Sequence, residues 1–153
     1  FDARVAWQKP DPNSDYPQYD PSYSLALGAF STALKDYLGR EIGYKLEEPY
    51  EILTGKVHPW KWGGENRIVN VSDRLATAMR DNPHLKVLVM SGYADLATPP
   101  ESMGHSLRHM PNLPKSLRKN ISTVYYDAGH MFYLNAPDLK KSRQDLLNFI
   151  EPE

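Results

Sequence analysis

Lys86-Val-Leu-Val-Met-Ser-Gly-Tyr-Ala-Asp95 and Ser122-Thr-Val-Tyr-Tyr-Asp-Ala-Gly-His130 decide the reading of this chain. Each is a short apolar run, rich in β-branched or aromatic residues. Each ends in a small-residue turn with an ionisable side chain just beyond it. Bounded runs of this length and composition read as strands. The pattern sets a carboxylate and an imidazole at the C-terminal ends of two strands, where open α/β sheets build their sites.

Around these runs the second half of the chain reads strand, helix, strand, helix. Lys86–Met90 forms a buried strand, and Pro99 or Pro100 opens a helix carrying Met103, Leu107 and Met110. Prolines 111 and 114 end that helix. Residues 122–126 form the next strand. Leu139–Ile150 forms the last helix, with Leu139, Leu146, Leu147 and Ile150 along one side. Strands alternating with helices predict an α/β class, with a short parallel sheet flanked by helices and right-handed crossovers. The interval between Asp95 and His130 holds one helix and one strand, which returns the chain to the neighbouring strand end.

The first half is less regular. Residues 8–21 are polar and proline-rich and read as an irregular surface segment. A helix starts at Asp20, with Asp20 as cap and Pro21 in its first turn. Leu25, Ala29, Ala33 and Tyr37 recur along it, and Gly39 and Gly43 end it. Tyr50–Thr54 reads as a short strand, followed by the loop His58-Pro-Trp-Lys-Trp-Gly-Gly64. A second helix runs from Ser72, its expected cap, to about Arg80; Leu75, Ala76 and Met79 form its apolar side and Asn82-Pro83 stops it. The organisation divides into an irregular and helical region, 1–65, and a region 66–153 that carries the aspartate and the histidine.

Composition narrows the classes. At 153 residues the chain is long enough to bury a sizeable core. A net charge of -1 gives no electrostatic reason to expect nucleic acid or an anionic membrane as a partner. The longest aliphatic run, Val87–Met90, is far too short to span a bilayer. Cysteine is absent, which removes disulfides, cysteine-based zinc sites and a cysteine nucleophile. Four of the 13 prolines (Pro10, Pro12, Pro17, Pro21) cluster near the start. The chain opens on Phe1 rather than methionine, which predicts a segment upstream.

Asp95 follows the glycine-containing turn Ser91-Gly-Tyr-Ala94 and reads either as a triad acid or as a turn and capping aspartate ahead of Thr98-Pro-Pro100. His130 follows Ala128-Gly129, where glycine lets the backbone turn sharply off the strand. It reads either as a general base or as a loop histidine. An aspartate followed by a histidine is the second half of the chain order Ser…Asp…His. No Gly-x-Ser-x-Gly occurs in the chain, so two members of a triad are present without the nucleophile. Ser91 precedes Gly92 without the elbow pattern and is not expected to replace it.

Asn82-Pro-His-Leu-Lys-Val-Leu-Val through Ser-Gly-Tyr-Ala-Asp95, with Tyr125-Tyr-Asp-Ala-Gly-His-Met131, resembles the C-terminal part of serine carboxypeptidase-like α/β-hydrolases. Phe1-Asp-Ala-Arg4, Tyr19-Asp-Pro-Ser22 and the Trp60-Lys-Trp62 loop are similar to bacterial members of that family. The resemblance implies the C-terminal portion of an α/β-hydrolase fold, with region 1–65 as a cap or insertion of the parent protein. It implies Asp95 and His130 as catalytic residues, Met131 as a substrate-binding residue, and neither cofactor nor metal. The nucleophilic serine, the oxyanion hole and the acidic residues that read a substrate C-terminus are then expected upstream. The implied partners are a peptide substrate and that upstream half, and the implied compartment is secreted or periplasmic. A sheet edge left open by the missing half is expected to favour homodimerisation.

Other candidates carry less. His105 and His109 have the i, i+4 spacing of a helical metal pair, but Ser106-Leu-Arg108 lacks the glutamate of a zinc-protease motif. A solvated helix face is the expected reading. Trp60 and Trp62 are expected to fill space between a loop and the core. Tyr16, Tyr19 and Tyr23 read as a recognition surface or an interdomain contact, and Arg4 as a partner for an unnamed acidic group. Two functional classes follow: a fragment of a serine hydrolase, or a non-catalytic binding or structural module built on the same half-fold.

Overall fold

A computed structural model of the protein describes residues 1–15, 19–45, 47–61 and 69–151. The chain forms two compact units, Val5–Arg67 and a second built from Phe1–Arg4 together with Ile68–Glu153.

In the unit Val5–Arg67 the main element is α1, Pro21–Arg40. Asp20 caps it as the sequence predicts, its carboxylate accepting the Ser22 and Tyr23 N–H groups that an α-helix start leaves without partners. The helix ends one residue past Gly39, and Gly43 then takes a left-handed conformation (φ +74°) as Tyr44 N–H returns to the Leu38 carbonyl. The expected apolar stripe of Leu25, Ala29, Ala33 and Tyr37 is exposed. Ser22 and Ala26 are the buried positions, with Leu27, Leu34 and Leu38 half-buried. Apolar residues occupy more than one side of this helix, so spacing alone does not select the side that is covered.

Tyr50–Thr54 is not a strand. Among the described residues it has no strand partner; Thr54 Oγ1 instead accepts the Lys56 N–H and opens a single 3₁₀ turn, Gly55–Val57. Trp60 is exposed, with the His58 ring edge-on to it at 6.5 Å, rather than packed under the loop. Trp62 and Tyr16 lie outside the described residues.

The second unit holds α2 (Ser72–Asp81), β1 (Val87–Gly92), α3 (Pro100–Arg108), α4 (Lys115–Arg118), β2 (Ile121–Tyr126) and α5 (Ala136–Ile150). Ser72 is the first helical residue of α2 rather than its cap; the Asn70 side-chain oxygen takes the Ser72 N–H in that role. The strands are parallel, in a register running from Val87↔Ile121 to Gly92↔Tyr126. Mixed helix and a short parallel sheet agree with an α/β class.

Because strand side chains alternate, Val87, Val89 and Ser91 share one face with Ile121, Thr123 and Tyr125. The core sits on that face. Met79 and Ala76 of α2 are fully buried with Met110 and Leu113, against Val87, Leu107, Leu117 and Ile121. Met110 lies just past α3, which closes at His109, so it reaches the core from the following turn. The short α4, not predicted from sequence, is tied down by Arg118, whose guanidinium donates to the carbonyls of Leu107, Arg108 and Met110. The Leu107 and Arg108 carbonyls belong to the end of α3, where the helix offers no N–H for them, and Met110 to the turn that follows.

The other face carries α5. Tyr126 is buried, stacks on Phe132 at 4.4 Å, and donates its hydroxyl to Asp145 at 3.0 Å. Asp138 and Ser142 are buried on this helix, whereas the expected stripe of Leu139, Leu146, Leu147 and Ile150 is exposed. The buried polar groups of this side are hydrogen-bonded within the helix and its cap. Asn135 donates to Asp138, and Ser142 donates to the Leu139 carbonyl. Each strand keeps one edge without a strand partner among the described residues. No described helix is long and apolar enough to cross a membrane.

Candidate functional site

The loops that leave β1 and β2 meet at backbone contact. A Cβ on Gly92 would lie 2.2 Å from the Gly129 carbonyl oxygen and 2.4 Å from that of Ala128. Both are main-chain atoms that cannot swing aside, so only glycine permits this approach. The strand pairing continues past Gly92, with Tyr93 N–H bonded to the Tyr126 carbonyl and Ala94 N–H to that of Ala128, each at 2.9 Å. Parallel strands in register, followed by loops stitched together in this way, bring Asp95 and His130 to one end of the sheet.

The Asp95 carboxylate accepts four hydrogen bonds. Oδ1 takes the backbone N–H groups of Ala97 (2.8 Å) and Thr98 (2.9 Å), and Oδ2 takes the Thr98 hydroxyl (2.7 Å) and His130 Nδ1 (3.0 Å). The turn-capping and imidazole-pairing readings of Asp95 are therefore both true of it. Its side chain is 5% exposed and that of His130 38%. Burial pushes the Asp95 pKa upward, but the bonds from Thr98, His130 and Ala97 outweigh it and hold the carboxyl down at about 2.

An ionised carboxylate only accepts, so Nδ1 of His130 is the donor and a neutral ring keeps its lone pair on Nε2. Nε2 makes no hydrogen bond among the described residues. An imidazole oriented by a carboxylate, with its second nitrogen available, is a general base in waiting.

Residues 1–4 lie across both loops. Asp2 forms an isolated antiparallel bridge with Asp95, and Ala3 N–H donates to the Ala94 carbonyl at 2.9 Å. The Phe1 carbonyl accepts from His130 N–H at 3.0 Å and from Leu96 N–H at 3.4 Å. Its ring rests against the His130 imidazole with centroids 5.3 Å apart. The Asp2 carboxylate packs against Gly129 and accepts from a two-pronged Arg4 (Nε 3.0 Å, Nη2 2.8 Å). The bond from Arg4 is the main reason the Asp2 carboxyl is held below its ordinary range, against a smaller upward push from burial. Arg4 also donates to the Asp127 carbonyl, which names the acidic neighbourhood that sequence left open. Nothing in local spacing announces these contacts. Asp2 and Arg4 act on residues more than ninety positions away, and only folding joins them.

The remaining candidates fall elsewhere. Met131 is half-buried and opens the 3₁₀ turn Phe132–Leu134, its carbonyl accepting the Leu134 N–H. Ser91 is buried within β1. His105 and His109 stack at 4.0 Å on an exposed surface, with His109 Nδ1 against the His105 carbonyl. No group of three or more potential metal ligands occurs among the described residues. Tyr19 is exposed and Tyr23 half-buried. Tyr93 and Tyr125, not singled out by sequence, stack at 5.0 Å beside the strand ends. Compared with protein-family models, curated proteins and solved structures, the chain matches none.

Proposed function

We propose that this chain is the C-terminal part of a serine carboxypeptidase-like α/β-hydrolase, supplying Asp95 and His130 to a Ser-Asp-His triad whose serine lies in sequence outside residues 1–153. The observation that carries the reading is the 3.0 Å bond from His130 Nδ1 to a buried, fully hydrogen-bonded Asp95, with Nε2 left available. In this mechanism Nε2 of His130 takes the serine proton as Oγ attacks the scissile carbonyl, then returns it to the leaving amine. Asp95 holds the ring in one tautomer and stabilises the imidazolium; a carboxyl held down at about 2 stays ionised throughout. The substrate is a peptide and no cofactor takes part.

The reading assigns no nucleophile to the chain itself, because acyl transfer needs an activated hydroxyl and an oxyanion hole together. In the complete protein, His130→Ala lowers turnover of a blocked dipeptide by several orders of magnitude and leaves folding intact. The isolated 153-residue chain stays unlabelled by a fluorophosphonate probe. Near-normal turnover in the variant, or stoichiometric labelling of a serine within this chain, refutes the proposal.

A further inference from the structure

We infer that Phe1–Arg4 is a positioning element for the Asp95–His130 pair, so that orientation of the His130 imidazole depends on Arg4 and Phe1 as well as on Asp95. The catalytic consequence rests on the function proposed above; the positioning itself does not.

The argument starts from what holds each partner. Asp95 is held by its own loop, since the Ala97 and Thr98 N–H groups saturate Oδ1 and the Thr98 hydroxyl shares Oδ2 with His130. His130 has no comparable local support. Its loop leaves β2 through Ala128-Gly129, and no bond from residues 131–135 reaches its ring or its N–H. Beyond the Ala94 N–H bond to the Ala128 carbonyl, the loop is held by residues 1–4: the Phe1 carbonyl on His130 N–H, the Asp2 side chain against Gly129, and Arg4 on the Asp127 carbonyl. The Phe1 ring then covers one side of the imidazole.

The same four residues bond to Ala94 and Leu96 on either side of Asp95. The segment thus spans both loops and adds to the direct backbone bonds between them. Its seat is tight: a Cβ on Gly129 would lie 2.5 Å from Cβ and Cγ of Asp2. Arg4 keys it in place, because a planar guanidinium satisfies both Asp2 oxygens and a main-chain carbonyl at once. A lysine has the charge but not the fork.

The test is NMR of the ¹⁵N-labelled 153-residue chain, reading the His130 ring tautomer by long-range ¹H–¹⁵N correlation and the solvent exchange of its Nδ1–H. The unmodified chain shows the Nδ1–H form. Arg4→Ala gives mixed tautomers and about tenfold faster Nδ1–H exchange, the equivalent of one hydrogen bond, while β1–β2 amides stay protected. Arg4→Lys does not restore the single tautomer.

Phe1→Ala removes the ring that lies against His130 and leaves the backbone bonds of the segment. It speeds Nδ1–H exchange several-fold, and it decides alone if Arg4→Ala costs the β1–β2 amides. An unchanged tautomer and exchange rate in Phe1→Ala, or in an Arg4→Ala chain whose Ala3 amide has lost protection, overturns the inference. A tautomer preference that depends on Phe1–Arg4, together with His130-independent turnover of the complete protein, would leave the positioning role standing and reject the hydrolase reading.

Discussion

Asp95→Asn should change how the stability of the second unit responds to acid. The carboxyl is held at about 2 in the folded chain against an ordinary 3.8. The difference of just under two units corresponds to about 2 kcal/mol at ~1.4 kcal/mol per unit. Because the folded value is the lower one, this contribution is complete above the unfolded pKa and is lost as pH falls through the folded one. The loss therefore begins near pH 4, is about half gone at pH 3, and is nearly spent at pH 2. With the side chain 5% exposed, screening by solvent does not erase it. Asparagine cannot titrate, so the stability gap between the unmodified chain and Asp95→Asn should narrow by about 2 kcal/mol between pH 6 and pH 2. Urea titrations at several pH values, followed through the ¹H–¹⁵N signals of β1 and β2, read this unit alone. Every other carboxylate cancels in the difference. A gap that stays constant within ~0.5 kcal/mol across that range would show that the bonds from Thr98, Ala97 and His130 do not stabilise the ionised form, and the reasoning would fail.

Two further outcomes follow from contacts around the site. Gly92→Ala places a methyl 2.2 Å from a carbonyl oxygen that belongs to the opposite loop. It should cost about 2–3 kcal/mol in the same urea titration and separate the loops, seen as faster exchange of the Ala94 amide; an unchanged midpoint would count against the tight apposition. Tyr126→Phe removes the buried hydroxyl that donates to Asp145 and should cost about 1–2 kcal/mol at neutral pH. Burial, then the Asp145 carboxylate, raises the Tyr126 pKa, so that contribution holds below the ordinary tyrosine value of 10.0 and is lost as pH climbs beyond it. Ultraviolet titration of the unmodified chain should show a late-ionising tyrosine that the variant lacks, and its persistence in Tyr126→Phe would assign the step elsewhere.

Features that depend on short-range chemistry were legible in the residues. Composition and turn chemistry located β1 and β2, because an apolar run closed by a glycine turn has few other conformations open to it. They placed α1 from its Asp20-Pro21 start, and they set Asp95 and His130 just beyond the two strand ends. Tertiary structure decided what depends on which surface meets which. Leu139, Leu146, Leu147 and Ile150 mark an apolar side of α5, yet the side turned inward is that of Asp138, Ser142 and Asp145. Periodicity identifies a side of a helix and not the neighbour that covers it. Tyr50–Thr54 has strand composition but no strand partner among the described residues, and a strand is a pairwise object. The site divides along the same line. The two ionisable residues were legible, whereas their 3.0 Å bond, the four-fold solvation of Asp95, and the reach of Phe1–Arg4 across both loops exist only because folding brings distant backbone groups into hydrogen-bond range.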